Sequence, residues 1–346
     1  MQSKTVLKKA VLKSFVFAAI LGILVTMLTP VFIWKTMHRG KLQDGMYDSD
    51  DQYDVVLLGS SHMNGGIDPN VLWKEKGITS FNYATGGQPV EVTYYLLKDI
   101  LKKHKNPLVV LDVFYLGMTT KYGEFSYLSN SIDNMNFSWN KLDAIWNCVP
   151  SSDRINYLFP FLKYHFRWST LQNNDLNFDC SSVYYTKGFE ASTDQYGKNI
   201  TAVKKTDQKI PIPQESLDYL NKIVSLCKEQ NCRLMLINMP CDYNIAESSD
   251  SYVNDFEALF NSVADYAADN GIPFLDLYDR MDELNLNFPN DMHNSSHLNL
   301  YGACKVSTYF SEYLEQNYNL TDHRADSTYA QWDADFQKSQ VASILS

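Results

Sequence analysis

The sequence predicts an α/β protein, with a parallel sheet covered by helices on both sides, that follows an N-terminal membrane-spanning helix. Short apolar runs alternate with amphipathic segments from residue 54 to about 112 and again from about 215 to 316. Strands that alternate with helices pair in parallel, because each crossover returns the chain to the same edge of the sheet. Turn residues follow several of the apolar runs, and a long apolar segment precedes them all.

The long apolar segment runs from Phe15 to Trp34 and contains no charged residue. At about 1.5 Å per residue it is long enough to cross a hydrocarbon layer of about 30 Å. A cleaved signal peptide and a buried core helix are the alternatives, but no small-x-small cleavage site follows Trp34. We therefore expect residues 1–41 to be a short cytoplasmic stub and a retained anchor. The excess of lysines before the span is slight and favours an N-terminus on the inside.

Residues 42–53 are polar, without apolar periodicity, and predict a linker between the anchor and a domain over 54–316. Five strands are expected near 55–59, 78–83, 107–114, 233–238 and 273–277. Helices are expected near 69–75, from Pro89, from about 215 to 230, near 251–269 and after residue 300. The tail over 317–346 is polar, with Trp332 and Phe336 as candidates to dock on the domain.

Residues 118–213 interrupt this alternation and are rich in aromatic side chains. The insertion leaves from the carboxyl end of the third strand, so it is expected to cover the functional edge as a lid or substrate platform. Aromatic faces stack on sugar rings, and the aromatic candidates for a carbohydrate groove are Trp139, Trp146, Tyr164 and Trp168. The alternative is that these side chains form a small core of the insertion itself.

Charge excludes one class of partner. The chain has 30 Lys and Arg against 40 Asp and Glu, and seven of the basic residues precede residue 42. The remainder carries 23 basic and 40 acidic residues, a formal charge of −17, which disfavours nucleic acid. The six cysteines show no metal-binding spacing, and neither a Walker loop nor a GxGxxG motif is present, so we expect no metal and no cofactor. Cys148 and Cys180 are candidates for a disulfide.

Two short motifs supply a candidate nucleophile and a candidate base. Gly59-Ser60-Ser61-His62 directly follows the first apolar strand, and His297-Leu298-Asn299-Leu300-Tyr301-Gly302 precedes the last helix. A serine hydroxyl needs a neighbouring imidazole to take its proton, and the imidazole needs a third group to hold its tautomer. Loops at the carboxyl ends of parallel strands gather at one edge, where open α/β sheets bind their ligands.

Together these motifs resemble the SGNH/GDSL hydrolase superfamily of esterases, lipases and acyltransferases. The resemblance covers residues 54–316 and implies a three-layer, flavodoxin-like fold. It assigns the nucleophile to Ser61 rather than Ser60, and the base to His297. Asn82 to Gly87 matches a second block of the family, so Gly87 inherits an oxyanion-hole N–H, with the Ser61 N–H as its companion.

The chain departs from the family pattern at two places. After the third strand, Asp112-Val113-Phe114-Tyr115 stands where the family has a block with an asparagine donor. Three residues before His297 the chain has Asn294 instead of aspartate, and Asp291 lies one turn upstream. We favour Asp291 as the orienting group because a carboxylate stabilises the imidazolium, with Asn294 as the alternative. His293 is a weaker candidate base.

The resemblance extends to anchored proteins that act beside membrane-bound O-acyltransferases, such as those of teichoic-acid D-alanylation and alginate acetylation. It implies an extracytoplasmic enzyme that transfers or removes acetyl or D-alanyl groups on a cell-surface glycan or polymer. A membrane-bound O-acyltransferase is then an expected partner. A non-catalytic envelope scaffold is the alternative. The residues expected to bind substrate are Asn82, Gln88, His165, Arg167 and Trp168.

Overall fold

A five-stranded parallel sheet forms the centre of the larger of two units into which the chain divides. The computed structural model describes residues 2–48, 52–176, 185–200, 205–244 and 249–345. Of these, residues 2–36 and 150–176 form the smaller unit, and the rest form the larger one. The two units are therefore described separately.

The strands of the sheet lie where the apolar runs predict them. They are β1 (Val55–Leu58), β2 (Ser80–Asn82), β3 (Leu108–Asp112), β4 (Arg233–Asn238) and β5 (Phe274–Asp276). Their order is β2-β1-β3-β4-β5, and every neighbouring pair is parallel. This is the flavodoxin-like order, in which β1 and β3 flank the point where the direction of winding reverses. The predicted fold class is confirmed.

The helices within the described residues are numbered in chain order. The first nine are α1 (Gln2–Phe32), α2 (Met37–Leu42), α3 (Ser61–Asn64), α4 (Pro69–Lys76), α5 (Val90–Lys103), α6 (Phe125–Ile132), α7 (Trp139–Cys148), α8 (Arg154–Leu158) and α9 (Pro160–Tyr164). The others are α10 (Gln214–Glu229), α11 (Phe256–Asp269), α12 (Phe288–Asp291), α13 (Leu300–Asn317), α14 (Ala330–Lys338) and α15 (Ala342–Leu345). A π-helical turn spans Gln43–Asp48, and 3₁₀ turns span Phe114–Gly117, His165–Ser169, Asn173–Leu176, Tyr278–Arg280 and Ser327–Tyr329.

Helices cover both faces of the sheet. Because crossovers are right-handed, the connection from β1 to β2 lies on one face, and the connections that step in the opposite direction lie on the other. In agreement, α4 packs against α13, and α5 packs against α10. The carboxyl ends of β1 and β3 therefore meet at the reversal point, and the loop that begins at Gly59 opens there.

Residues 42–48, predicted as part of a linker, are instead folded into the larger unit. After α2 the chain continues through the π-helical turn, with Leu42 and Met46 fully buried. Tyr53, at the end of the same segment, is also buried and packs with its ring centroid 5.3 Å from that of Phe81. Polar residues surround these three in the sequence, so the spacing of apolar residues does not predict that they are buried.

The C-terminal tail is ordered as helix α14 and docks on α4, as its two aromatic residues predict. Trp332 and Phe336 are buried, and the ring centroids of Trp332 and Trp73 are 5.3 Å apart. The indole N–H of Trp73 donates to Asp333 Oδ1 at 2.9 Å. Asp335 forms a buried ion pair with Lys187. The tail therefore contributes to the core of the larger unit.

The smaller unit is built from α1, α8, α9 and the 3₁₀ turn at His165–Ser169. Over residues 6–32, α1 is long and apolar enough to cross a membrane. Its last turn packs against the returning segment, where Phe32, Ile33 and Tyr164 are buried together. The predicted insertion 118–213 is thus divided, with its middle part in this unit and its two ends in the larger one.

Cys148 is buried as a free thiol at the end of α7. The other half of the candidate disulfide, Cys180, lies outside the described residues. Cys227 and Cys304 are likewise buried free thiols, and Cys241 is also buried.

Candidate functional site

Ser60 holds the turn after β1 and leaves Ser61 as the serine that faces the site. The Ser60 hydroxyl donates to Asp112 Oδ2 at 2.7 Å, and its oxygen accepts from the N–H of His62 as the N-cap of α3. Gly59 adopts a φ of +143°, and a Cβ there would lie 2.5 Å from the Cβ of Asp112. The strand can therefore bend into the helix only with glycine at this position. Ser60 is buried, whereas Ser61 is partly exposed.

The side chains of Ser61 and His297 meet. His297 Nε2 lies 2.8 Å from Ser61 Oγ, within the range of a nucleophile–base hydrogen bond. The two motifs singled out in the sequence, which stand far apart in the chain, are thus joined at the carboxyl edge of the sheet.

The structure explains why asparagine and glycine stand at positions 299 and 302, after His297. The Asn299 side-chain oxygen accepts from the N–H groups of Tyr301 and Gly302, at 3.0 and 3.1 Å, and so caps α13. Its amide donates to the carbonyl of Asn290 at 2.7 Å. A Cβ on Gly302 would lie 2.1 Å from the carbonyl oxygen of Asp291. The pair therefore fixes the loop that carries the histidine.

The structure gives His297 an amide as its second partner, which corrects the preference for Asp291. His297 Nδ1 lies 3.0 Å from Asn294 Oδ1. That oxygen also accepts from the backbone N–H groups of Ser296 and His297, at 2.8 and 3.0 Å, which identifies it as an acceptor. The Nδ1 atom therefore carries the proton, and Nε2 is left to accept from the serine hydroxyl.

The carboxylate of Asp291 forms hydrogen bonds that stabilise the fold. Its Oδ2 accepts from the N–H of Asn287 at 2.6 Å and from Lys305 Nζ at 2.7 Å. A carboxylate that accepts a backbone N–H at the start of a short helix stabilises that helix, and the ammonium of Lys305 balances its charge. Asp291 thus ties α12 to α13.

Burial sets the protonation state of His297. It lowers the pKa of this imidazole to about 4, with a further contribution from the nearby His293. His62 is fully buried, with its ring centroid 5.2 Å from that of His297, and burial holds its pKa well below the ordinary value. Both imidazoles are neutral at pH 7, the state that a general base requires.

The turn that carries the candidate oxyanion donor has a backbone that only glycine adopts readily. Gly87 has a φ of +68°, and a Cβ there would lie 2.1 Å from the ring of Tyr127. The N–H of Thr85 donates to the carbonyl of Gly59 at 3.3 Å, which connects this turn with the one that leads to Ser61. Tyr127 lies on α6, so the first part of the insertion covers the turn. The N–H groups of Gly87 and Ser61 remain the predicted oxyanion donors.

Asn82 and Gln88, predicted to bind substrate, are buried and bonded within the protein. The amide of Asn82 donates to the carbonyl groups of Met63 and Ile67, at 2.8 and 3.1 Å. Gln88 accepts from the hydroxyl of Thr85 at 3.0 Å and donates to that of Thr93 at 2.8 Å. The irregular loops around β1 and β2 need these amides to satisfy their own polar groups, and a contact of either side chain with substrate stays a prediction.

His165, Arg167 and Trp168 belong to the smaller unit. Arg167 is buried, pairs with Asp175 at 2.6 Å and donates to the carbonyl of Phe32. Its guanidinium is therefore occupied by its own unit, and a substrate-binding role of Arg167 stays a prediction. His165 is exposed, with Nδ1 at 2.9 Å from the carbonyl of Leu162. Trp168 is 73% exposed, and Trp139 and Trp146 of the larger unit are also exposed, so these three do not form a core of the insertion.

Asp112 accounts for the departure from the family pattern after the third strand. Burial raises the pKa of its carboxyl group to about 6, although hydrogen bonds from Ser60 and the N–H of Phe114 favour the charged form. The residue holds the turn of Ser60 in place. A carboxylate cannot donate a hydrogen bond, so Asp112 does not replace the missing asparagine.

Lys41 is a residue of this region that the sequence did not reveal. Its ammonium donates to Asn64 Oδ1 and, at 2.8 Å, to the carbonyl of Ala84. Asn64 ends the helix that Ser61 begins, and Ala84 precedes the turn of Gly87. The side chain is fully buried, and burial lowers its pKa to about 7. Lys41 therefore bridges the serine helix and the candidate oxyanion turn. Nothing in its polar sequence context predicts burial.

Within the described residues, no group of three or more His, Cys, Asp or Glu side chains is arranged to hold a metal ion. What the site offers is a hydroxyl, a neutral imidazole bonded to it, and an amide that fixes the tautomer.

Comparisons with known proteins identify no close relative. No family model matches the chain, and no curated protein matches it. A solved lipase/acylhydrolase from Enterococcus faecalis matches 77% of this chain and 97% of its own, with 10% identity and a TM-score of 0.39. A gut microbial diltiazem-metabolizing enzyme matches 76% of this chain and 46% of its own, with 14% identity and a TM-score of 0.28. Similarities this distant assign no activity, so function has to be argued from the site.

Proposed function

We propose that the protein is a membrane-anchored serine esterase or O-acyltransferase of the SGNH type. The observation that carries the proposal is the 2.8 Å contact between Ser61 Oγ and His297 Nε2 at the carboxyl end of β1. Hydrolase activity of this broad kind is consistent with the motifs around both residues. In these motifs Gly59 allows the turn that leads to Ser61, and Asn299 and Gly302 fix the loop that carries His297.

The reaction starts with Ser61 attacking the carbonyl carbon of an ester. As the new C–O bond forms, His297 Nε2 takes the hydroxyl proton, and the N–H groups of Ser61 and Gly87 donate to the oxygen that becomes negative. Collapse of the intermediate breaks the bond to the leaving alcohol, which receives the proton from His297. The product is an acyl ester of Ser61.

The acyl group then leaves to a second hydroxyl. His297 takes the proton of the acceptor, the acceptor oxygen attacks the acyl carbon, and Ser61 recovers its proton. With water the result is deacylation, and with a sugar hydroxyl it is transfer. We propose an acetyl or D-alanyl group and a cell-surface glycan or polymer, with a membrane-bound O-acyltransferase as the partner that supplies the acyl group.

We further propose that α1 anchors the chain and that the larger unit lies outside the cytoplasm. Lys4, Lys8, Lys9 and Lys13 precede the apolar span. On the other side Lys41 is buried within the larger unit, so it does not act as a flanking charge. Basic residues concentrate on the cytoplasmic side of membrane helices, which favours an N-terminus inside.

Labelling of the full chain in detergent with a fluorophosphonate tests the chemistry. The wild-type protein and Ser60→Ala should react, and Ser61→Ala should not. An unlabelled wild-type protein, or a labelled Ser61→Ala variant, would refute the assignment. Release of acetate from p-nitrophenyl acetate, with and without an added glycan, then distinguishes hydrolysis from transfer by the acylated product.

A non-catalytic envelope scaffold is the second candidate. The observation that favours it is the partner of His297, since an amide cannot stabilise an imidazolium by charge as a carboxylate does. A scaffold would retain the fold and the anchor but would not react with the fluorophosphonate.

A further inference from the structure

The smaller unit exposes a cluster of large apolar side chains beside α1. Between α8 and the 3₁₀ turn that ends at Ser169, Phe159, Leu162, Phe166 and Trp168 are 52, 49, 61 and 73% exposed. A short segment that exposes several large apolar side chains is a candidate interaction site. The segment 154–169 that carries it is here named the collar.

The collar is held at the C-terminal end of α1. Phe161 packs edge-on against Phe32, with ring centroids 5.2 Å apart, and Tyr164 is buried with Phe32 and Ile33. Arg167 donates to the carbonyl of Phe32, one of the carbonyl groups that a helix end leaves without an intrahelical partner. Its guanidinium also lies 3.5 Å above the ring of Trp34. The position of the collar along α1 is therefore well defined.

Two collar residues reach further along the helix. Phe159 and Leu162, together with Phe161, line an apolar groove of about 720 Å³ whose other wall is α1 from Ala18 to Met27. Measured from Phe32, the α1 wall of the groove begins about 8 Å back along the helix, at Met27, and extends to about 21 Å, at Ala18. Helices that lie in a membrane interface bury their apolar faces to about 5–10 Å. The near end of the groove lies at that depth, and its far end lies deeper.

We propose that the collar lies in the membrane interface around the end of α1, with its exposed apolar side chains in the hydrocarbon of the adjoining leaflet. This inference rests on the proposed membrane span of α1. If α1 crosses the bilayer, Val31–Trp34 lies at the boundary, and whatever packs against these residues lies at the same level. Trp34, which is half-exposed, is a residue type that suits this level, since tryptophan is enriched at the boundary between membrane and water.

A lipid surface is the occupant that this geometry favours over a protein partner. The groove is open along a helix face that is itself exposed over the span, so the same lipid that surrounds α1 can enter it. Arg167 is buried and paired with Asp175, so it places no exposed charge among these apolar side chains.

The test uses the full chain in vesicles of phosphatidylcholine and phosphatidylglycerol, with photoreactive p-benzoylphenylalanine in place of single residues. Phe17, within the span, is the positive control. Gln316, an exposed polar residue of the larger unit, is the negative control. Leu162, Phe166 and Trp168 are tested separately, so that misfolding of one variant does not decide the result. After irradiation, mass spectrometry measures lipid adducts.

Adducts at Phe17 and at two or more collar positions, but not at Gln316, are the expected result. An adduct at Phe17 without any at the collar, or cross-links from the collar to a second chain, would overturn the inference. No adduct at Phe17 would overturn the anchor and the collar together. The ester chemistry is tested apart from both, because it depends on Ser61 labelling.

Discussion

Asn294 Oδ1 lies 3.0 Å from His297 Nδ1 and accepts two backbone N–H groups of the same loop. The amide is thus rigidly oriented by the loop that it helps to form, and it presents an acceptor to the imidazole. It fixes the tautomer of the histidine without contributing a negative charge. A carboxylate at this place would both orient the imidazole and stabilise its positive charge, whereas the amide only orients it. Substitutions of Asn294 can therefore test the two effects.

Replacing Asn294 by aspartate should supply the missing charge. A carboxylate beside Nδ1 raises the pKa of His297, and we expect the acidic midpoint of kcat/KM on p-nitrophenyl acetate to rise by about one unit or more. Turnover at pH 8 should rise as well, since the imidazolium is stabilised. Asn294→Ala, which leaves the ring without its partner, should lower turnover by about 10²-fold.

Asp291→Asn is the matched control for both variants. It removes the charge that Lys305 Nζ faces at 2.7 Å, so it should lower the melting temperature. The pH midpoint should stay where it is in the wild-type protein. A midpoint that moves in Asp291→Asn, and not in Asn294→Asp, would restore Asp291 to the site.

The wild-type protein should remain active at unusually low pH. Burial lowers the pKa of His297 to about 4, and only the neutral ring accepts the serine proton. We expect kcat/KM to fall below pH 5 with a midpoint near 4, measured with short incubations from pH 3 to 9. A midpoint of 6 or above would contradict the burial of this ring.

The same shift has a consequence for stability. Between pH 6.5 and 4 the unfolded chain binds a proton at His297 and the folded chain does not. The free energy of unfolding therefore decreases as the pH falls from 6.5 to 4, and the full contribution of His297 to stability is present only above pH 6.5. In urea titrations, a His297→Gln variant should therefore lose less stability than the wild-type protein between pH 7 and 4.

Ser60→Ala should affect stability rather than chemistry. The variant leaves the buried Asp112 without the hydroxyl that donates to it at 2.7 Å, which costs about 1–3 kcal/mol in the free energy of unfolding. Ser61→Ala removes no such bond to a buried charge and should leave the melting temperature nearly unchanged. Calorimetry of the two variants, with fluorophosphonate labelling in parallel, checks the difference. Equal melting temperatures would contradict the role assigned to Ser60.

Lys41→Met should impair turnover from outside the reacting groups. It removes the bridge from Asn64 to Ala84, so one of the links between the serine helix and the candidate oxyanion turn is lost. We expect kcat to fall about 10- to 100-fold with a smaller change in KM, as for a misplacement of about 1 Å. Lys41→Arg, which keeps the charge but not the shape, should recover part of the loss.

Lys76→Met is the control for Lys41. Lys76 forms a 2.6 Å pair with Glu315, whose side chain is 60% exposed, and surface pairs of this kind contribute little. Its kinetics should equal those of the wild-type protein. A Lys41→Met variant with unchanged kcat would exclude the bridge as a positioning element.

Apolar runs predicted the central strands Val55–Leu58 and Leu108–Asp112 because these two are buried along their whole length, so they could be recognised without knowledge of their neighbours. The pairing of Ser61 with His297 was also predictable, since each stands at a strand or helix end with a recognisable spacing. The partner of His297 was not. Asp291 and Asn294 both lie within reach along the chain, and only the cap of α12 and the charge of Lys305 decide which one is free to meet the ring.

The burial of Lys41 and Arg167 was not predicted, for a related reason. Each is a charged side chain that is buried because distant carbonyl groups and side chains satisfy it, and sequence neighbours say nothing about those partners. The same holds for the insertion. Its aromatic content was visible, but the division of its residues between two units depends on contacts with α1.

Because the chain returns to α1 at residue 150, a single proteolytic cut after α1 does not separate the two units. A single cut between residues 36 and 37 would sever the peptide connection, but the segment from residue 150 would still be packed against the last turn of α1. The larger unit would therefore stay with α1 after one cleavage. If α1 spans a membrane, as we propose, release of the larger unit would require a second cut or the extraction of the collar from α1.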